Sequence, residues 1–188
     1  IEFFGGDGFG AAGKVLMGRF INKFDKEDIL GDIERVGSII GVEMTSPGSG
    51  YTEPPLVAFT DSCDKGYGAY GEAIIDYDPN SPTFGQVIAV TITSQGEDYP
   101  VADEEDLYIK EVIIQQPGEG YVEGDEIDGF EICGVNSIGG ITCVKTPDNP
   151  YRELPKINFN VGTGAILRPI MTKEIPQTEV VQVIDCVT

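Results

Sequence analysis

Short stretches in which apolar and polar residues alternate recur along the whole chain, separated by glycine and proline. Alternation with a period of two places one face of a β-strand against a core. The pattern predicts an all-β fold, with irregular tandem antiparallel β-meander units forming small sandwiches or a β-rich rod. The predicted strands lie near 9–17, 39–45, 55–60, 68–76, 86–94, 107–115, 141–145, 156–160, 164–171 and 179–186.

A short motif, in essence Gly-x-Gly-Tyr, follows several of these stretches. Its glycines supply positive φ where a strand reverses, and its tyrosine packs over the turn with the hydroxyl in water or on a carbonyl. It lacks the lysine and following helix of a phosphate-binding loop. The copies comprise Gly48, Gly50 and Tyr51, then Gly96 and Tyr99, then Gly118, Gly120 and Tyr121, and a degraded copy at Tyr151. Pro54 and Pro55 follow the first copy and favour an extended entry into the next strand.

A second motif, Gly-x-Gly-Ala, begins three alternating stretches, at Gly8, Gly66 and Gly162. Its central residues include Gly68 and Ala69 in one copy and Gly164 and Ala165 in another. A glycine inside a strand indicates close approach to a neighbouring backbone. Strand, Gly-x-Gly-Tyr turn, strand, loop and Gly-x-Gly-Ala strand then predict a three-stranded meander over 39–75 and a shorter one over 141–171.

These repeats divide the chain into four predicted segments. They are an N-terminal β segment at 1–38, a first full repeat at 39–86, an interrupted second repeat at 87–140, and a third repeat with a C-terminal strand at 141–188. Residues 24–31 resemble 121–129 and are read as strand–turn–strand. A short helix over 26–36, with Asp25 as its N-cap, remains the alternative.

Charge and composition exclude several functions. The chain has 32 acidic and 12 basic residues, a formal net charge of −20, and no histidine. Such a charge repels nucleic acid, so no nucleic-acid partner is expected. Catalysis by a histidine base is excluded, and no apolar run is long enough for membrane insertion. We therefore expect no enzyme. Carboxylate pairs are abundant enough to suit a glycosidase, but abundance favours no particular pair.

The acidic residues form clusters that could bind calcium. The candidate ligands are Asp103, Glu104, Glu105 and Asp106, although no cluster has the spacing of an EF-hand loop. A solvated acidic face is the favoured interpretation, with no cofactor, and calcium is the alternative.

The four cysteines lie far apart, with no Cys-x-x-Cys pair. That excludes a zinc ribbon and favours free, mostly buried thiols, while disulfides stay open.

The sequence Gly-Ser-Gly-Tyr-Thr-x-Pro-Pro-x-Val, followed by Gly-x-Gly-Ala and an alternating strand, resembles repeats of phage tail-fibre and other virion structural proteins. The resemblance is best for large contractile-tailed phages of cyanobacteria, and it covers 40–75 well, 87–121 partly and 141–171 loosely. It implies an elongated, usually homotrimeric virion component with no catalytic residues.

We therefore expect a non-enzymatic tail-fibre or baseplate-type protein of the extracellular particle, serving assembly or host attachment. Its expected partners are two further copies of itself, other virion proteins and a host-surface glycan or protein. The alternative is a secreted bacterial surface adhesin or matrix protein, since similar repeats occur there. A polysaccharide-degrading tailspike is the third alternative.

Overall fold

The computed structural model describes residues 1–20, 36–61, 63, 65–100 and 106–174, and all regular secondary structure within them is β-strand. The all-β prediction is confirmed. In chain order the strands are β1 (Glu2–Phe4), β2 (Phe9–Phe20), β3 (Val36–Ser49), β4 (Leu56–Ala58), β5 (Tyr67–Ile75), β6 (Val87–Glu97), β7 (Tyr108–Glu119), β8 (Glu126–Ile127), β9 (Phe130–Val135), β10 (Ile141–Lys145) and β11 (Thr163–Thr172). Within these described ranges, no helix has the length and apolarity needed to cross a membrane.

Three long antiparallel strand pairs dominate the fold. Pair 1 is β2 with β3, pair 2 is β5 with β6, and pair 3 is β7 with β11. Pair 2 is extended by the short strands β4 and β1, giving the order β1-β4-β5-β6. Between β7 and β11 the chain forms a separate antiparallel sheet in the order β8-β9-β10. We call residues 122–161, which contain this sheet, the insertion.

The central strand of the core is β3, because its successive side chains enter two different apolar clusters. Ile39 and Val42 pack with side chains of pair 2, whereas Ile40 packs with side chains of pair 3 and the insertion. A register shift between Leu16 and Met17 of β2 interrupts the simple alternation of β3, so Ile39 and Val42 share one face and Ile40 points to the other. A strand that is apolar on both faces is covered on both. Strand β3 of pair 1 therefore packs against both pair 2 and pair 3.

The predicted meander over 39–75 is wrong, because β3 pairs with β2 and not with β4 or β5. The meander over 141–171 is also wrong, since β10 pairs with β9 and β11 pairs with β7. The register of β2 with β3 runs across the predicted segment boundary at 38 and 39. The four segments as domains remain a prediction.

Most predicted strands are observed, and 141–145 has the predicted bounds. Residues 156–160 form no strand, although Ile157 is buried in the core and Phe159 packs against the same cluster from this irregular segment. The short strands β1 and β9 were not predicted, whereas β8 lies within 121–129, which the sequence indicated as strand-like. The strand–turn–strand at 24–31 and the predicted strand at 179–186 lie outside the described residues. So does the alternative helix at 26–36, apart from residue 36, which belongs to β3.

A disulfide joins Cys133 on β9 to Cys143 on β10, with 5.0 Å between their Cα atoms. The expectation of free thiols is wrong for these two cysteines. The pairing of β9 with β10 brings together residues ten positions apart, which the sequence spacing alone does not show. Cys63 is exposed and not disulfide-bonded, and Cys186 lies outside the described residues.

We predict that replacing both Cys133 and Cys143 with serine lowers the free energy of unfolding by roughly 2–3 kcal/mol. The reason is that the bond closes a short loop and restricts the unfolded chain. Urea unfolding followed by circular dichroism, with and without a reducing agent, measures the loss. Cys63→Ser is the matched control and should leave stability unchanged. Equal loss in the control, or no effect of the reducing agent on the natural chain, contradicts the prediction.

Candidate functional site

The two glycine motifs predicted from the sequence pair with each other. In each long pair, the second residue of the Gly-x-Gly-Ala motif lies opposite the second residue of the tyrosine motif. These partners are Phe9 with Ser49, Tyr67 with Glu97, and Thr163 with Glu119. We call each arrangement a tyrosine clamp. Clamp 1 contains Gly8, Ala11, Gly48 and Tyr51; clamp 2 contains Gly66, Ala69, Gly96 and Tyr99; clamp 3 contains Gly162, Ala165, Gly118 and Tyr121.

Each clamp tyrosine packs its ring directly on the first glycine of the opposing motif. A Cβ atom on Gly162 would lie 2.6 Å from the ring of Tyr121, and Gly8 and Gly66 are covered in the same way by Tyr51 and Tyr99. All three tyrosines are buried, at 5–8% of full exposure. Only glycine leaves room for the ring, since real Cβ atoms do not approach so closely.

The tyrosine hydroxyl satisfies a backbone group of the opposing strand. The N–H of Ala11 donates to the hydroxyl of Tyr51 at 3.2 Å, and the N–H of Ala165 donates to that of Tyr121 at 3.2 Å. Burial raises the pKa of Tyr99, and a hydrogen bond from the N–H of Ala69 opposes that rise. We expected a wet hydroxyl or a carbonyl partner. The hydroxyl instead accepts from a main-chain N–H of the opposing strand.

Backbone conformation repeats along with the contacts. Gly118 and Gly120 have φ of 62° and 76°, as the turn motif predicts. In clamp 2 the second position is Asp98, which keeps a φ of 62° although it is not glycine. Aspartate tolerates the left-handed region better than most residues do, so the degenerate Gly-x-Asp-Tyr still forms a clamp.

The backbone N–H of each clamp tyrosine binds a more distant segment. Tyr51 donates to the carbonyl of Gly85 at 3.0 Å, and Tyr99 donates to that of Gly37 at 3.2 Å. Because Gly85 precedes β6 and Gly37 lies on β3, these bonds join pairs 1 and 2 in both directions. Tyr121 donates to the carbonyl of Gly139 at 2.8 Å and so holds the insertion.

The fourth predicted copy, at Tyr151, is not a clamp. Its N–H donates to the carbonyl of Leu107, and its hydroxyl accepts from the side chain of Asn149. The residue before Tyr151 is Pro150, whose ring holds φ at about −65°, so the chain there cannot adopt the repeated turn with its positive φ. Pro54 and Pro55 do lead into a strand, β4, as predicted.

One exposed side-chain pair sits at the tip of clamp 2. The hydroxyl of Tyr67 donates to Glu97, and this bond to a carboxylate raises the pKa of Tyr67 to about 12. The corresponding positions hold Phe9 with Ser49 in clamp 1 and Thr163 with Glu119 in clamp 3. These tip positions vary between clamps, while the buried tyrosines and the glycines that their rings cover do not.

The calcium candidates are not brought into a described site. Asp103, Glu104 and Glu105 lie outside the described residues, and Asp106 has a carboxylate oxygen 4.0 Å from a guanidinium nitrogen of Arg152. Across the part of the chain that the structure describes, no three side chains of histidine, cysteine, aspartate or glutamate are grouped to hold a metal. Calcium at 103–106 stays a prediction.

The clamps offer packing and hydrogen bonding rather than reaction chemistry. Their members are glycine, alanine and a tyrosine whose hydroxyl already accepts a main-chain hydrogen bond in clamps 1 and 3. Sequence reasoning found these residues, but it missed that the tyrosine rings pack directly on Gly8, Gly66 and Gly162. No protein-family model, no curated protein and no solved structure matches the chain.

We predict that Gly162→Ala destabilises the protein by about 1–3 kcal/mol more than Gly5→Ala. Both glycines have positive φ, 80° and 77°, so the backbone strain of the substitution is similar. A Cβ at Gly5 meets nothing within 4 Å, whereas one at Gly162 overlaps the ring of Tyr121 and must displace it. Urea unfolding of the two variants gives the difference. Equal losses would show that the ring does not depend on its glycine seat.

Proposed function

We propose that this chain is a non-enzymatic structural component of a virion, of the tail-fibre or baseplate type, serving assembly or host attachment. The observation that carries the proposal is that the tyrosine clamp occurs three times within the chain. The residues that make the sequence distinctive are used to fix strand pairing and the contacts between strand pairs. A protein selected for mechanical integrity and repetitive architecture would use them in this way.

The surrounding chemistry agrees with a structural role. A net charge of −20 keeps a densely packed assembly away from nucleic acid and favours solubility. The sequence resemblance to virion repeats covers Gly48 and Tyr51 of clamp 1 and the strand that opens clamp 2. Within the described ranges, the acidic side chains do not group as a metal site.

A secreted bacterial surface adhesin or matrix protein is the second candidate, and one observation favours it. The disulfide between Cys133 and Cys143 belongs to an oxidising compartment, whereas phage proteins are assembled in a reducing cytoplasm. A virion protein would form this bond only after release of the particle. The tailspike-type hydrolase has no specific observation in its favour.

The test is the location of the protein in the culture that produces it. Released particles and washed cell envelopes are separated on a density gradient, and peptides of this chain are quantified by mass spectrometry. We expect them to sediment with the particles. Enrichment in the envelope fraction would replace the virion proposal with the adhesin. Absence from both fractions would overturn both.

We predict that the purified chain is a homotrimer. Two-stranded pairs are marginally stable alone, and several large apolar side chains remain exposed, including Phe9 at 75% and Leu56 at 76%. Identical chains usually close such surfaces by point symmetry, and the resemblance favours three copies. Light scattering at moderate salt, which screens the subunit charges, should give three times 20.2 kDa. A single species of 20.2 kDa would overturn the prediction.

A further inference from the structure

A groove of about 350 Å³ separates pair 2 from pair 3. One wall is β6, the other is β11, and the irregular segment 154–158 closes the third side. Ile92, Ile157 and Leu167 line the groove and are otherwise buried, so they form its apolar floor. Its volume falls within the range of small-ligand sites.

The charge of this groove is opposite to that of the chain. Lys156 and Arg168 line it, and no carboxylate belongs to its lining among the described residues. The whole chain has 32 acidic and 12 basic residues, so a groove whose only charged lining residues are basic differs from the rest of the chain. Opposite charge attracts anions and also orients them during approach.

Arg168 is oriented by neighbouring side chains. Its Nε donates to the side-chain oxygen of Gln115 at 3.3 Å, and the amide nitrogen of Gln115 donates to a carboxylate oxygen of Glu72 at 3.0 Å. This chain of bonds links β11, β7 and β5. It fixes one side of the guanidinium, and the terminal nitrogens remain donors suited to a carboxylate or sulfate.

Neutral polar groups complete the rim. Thr93 donates its hydroxyl hydrogen to the carbonyl of Tyr70 at 3.2 Å, so its oxygen can still accept. The side-chain carbonyl oxygen of Gln95 accepts a hydrogen bond from the hydroxyl of Ser38 at 3.5 Å, so the side-chain amide nitrogen of Gln95 can still donate. Asn158 is exposed beside them and can do both. Such a mixture suits hydroxyl groups better than the repeated carboxylates of an acidic peptide.

We propose that this groove binds an acidic saccharide, with the carboxylate or sulfate at Arg168 and Lys156. The apolar face of the sugar ring lies on the aliphatic floor, and its hydroxyls contact Thr93, Gln95 and Asn158. The inference rests on the host-attachment role in the proposed function, for which it names the ligand class and the place.

Isothermal titration at pH 7 with the full chain tests the proposal. The probes are tetragalacturonate, a sulfated chondroitin tetrasaccharide, the neutral maltotetraose and the acidic peptide tetraglutamate. We expect binding of one or both acidic saccharides, weakened by added salt, and binding of maltotetraose that is about tenfold weaker or more. The carboxylated and sulfated probes distinguish the two sources of negative charge. Failure of both acidic saccharides to bind overturns the proposal, as does tighter binding of tetraglutamate.

The variants Arg168→Gln and Lys156→Gln locate the site. Each should weaken binding of the acidic saccharide about tenfold. Lys156 is exposed, so its replacement keeps the test valid if Arg168→Gln does not fold. Lys145→Gln is the matched control, because Lys145 pairs with Glu131 outside the groove. Equal loss in the control means nonspecific charge attraction and overturns the assignment. If the chain binds an acidic saccharide but is found neither with released particles nor with cell envelopes, the virion and adhesin roles are overturned and the assignment of the groove stands.

Discussion

A buried tyrosine ring packed on a residue without a side chain is the contact on which the rest of this structure depends. Burying such a ring contributes about 1.5–3 kcal/mol, and the hydrogen bond from alanine removes the cost of burying the hydroxyl in clamps 1 and 3. The contact also fixes register. A slip of one residue would place the ring against a Cβ atom and turn the core face of the strand outward.

The clamps matter because the sheets are small. A two-stranded pair has little apolar surface to bury and is marginally stable in water. The protein compensates by sharing β3 between two clusters and by tying pair 1 to pair 2 through the N–H groups of Tyr51 and Tyr99. Each clamp thus acts within its own strand pair and between neighbouring segments. Cooperativity among the pairs follows from these shared residues.

Much of the fold follows from local sequence, whereas the pairing does not. Alternation and glycine placement predicted the strands and the positive φ at Gly118 and Gly120. They could not show which Gly-x-Gly-Ala strand each tyrosine joins, because the partner precedes the tyrosine in two clamps and follows it in the third. The first glycine of that motif is present in all three copies, as Gly8, Gly66 and Gly162. It was the signal for the contact with the tyrosine ring, and sequence reasoning did not use it. Residues 156–160 misled because Ile157 and Phe159 alternate toward the core as in a strand, although the segment has no backbone partner strand.

In clamp 3 the Gly-x-Gly-Ala motif follows the tyrosine in the sequence instead of preceding it, and this order explains how the fold holds the insertion. In pairs 1 and 2 the clamp holds the ends of strands that are not directly connected there. In pair 3 the same contact closes the base of the insertion, which carries the disulfide. The cost of closing a loop rises slowly with its length, so a base held by a clamp tolerates a long insertion. The insertion in turn supplies Phe130, Ile132 and Ile141 to the apolar cluster that contains Ile40, so it is an integral part of the core. Clamp 3 therefore fixes the pairing of β7 with β11 and also returns the insertion to the apolar cluster that its own side chains help to form.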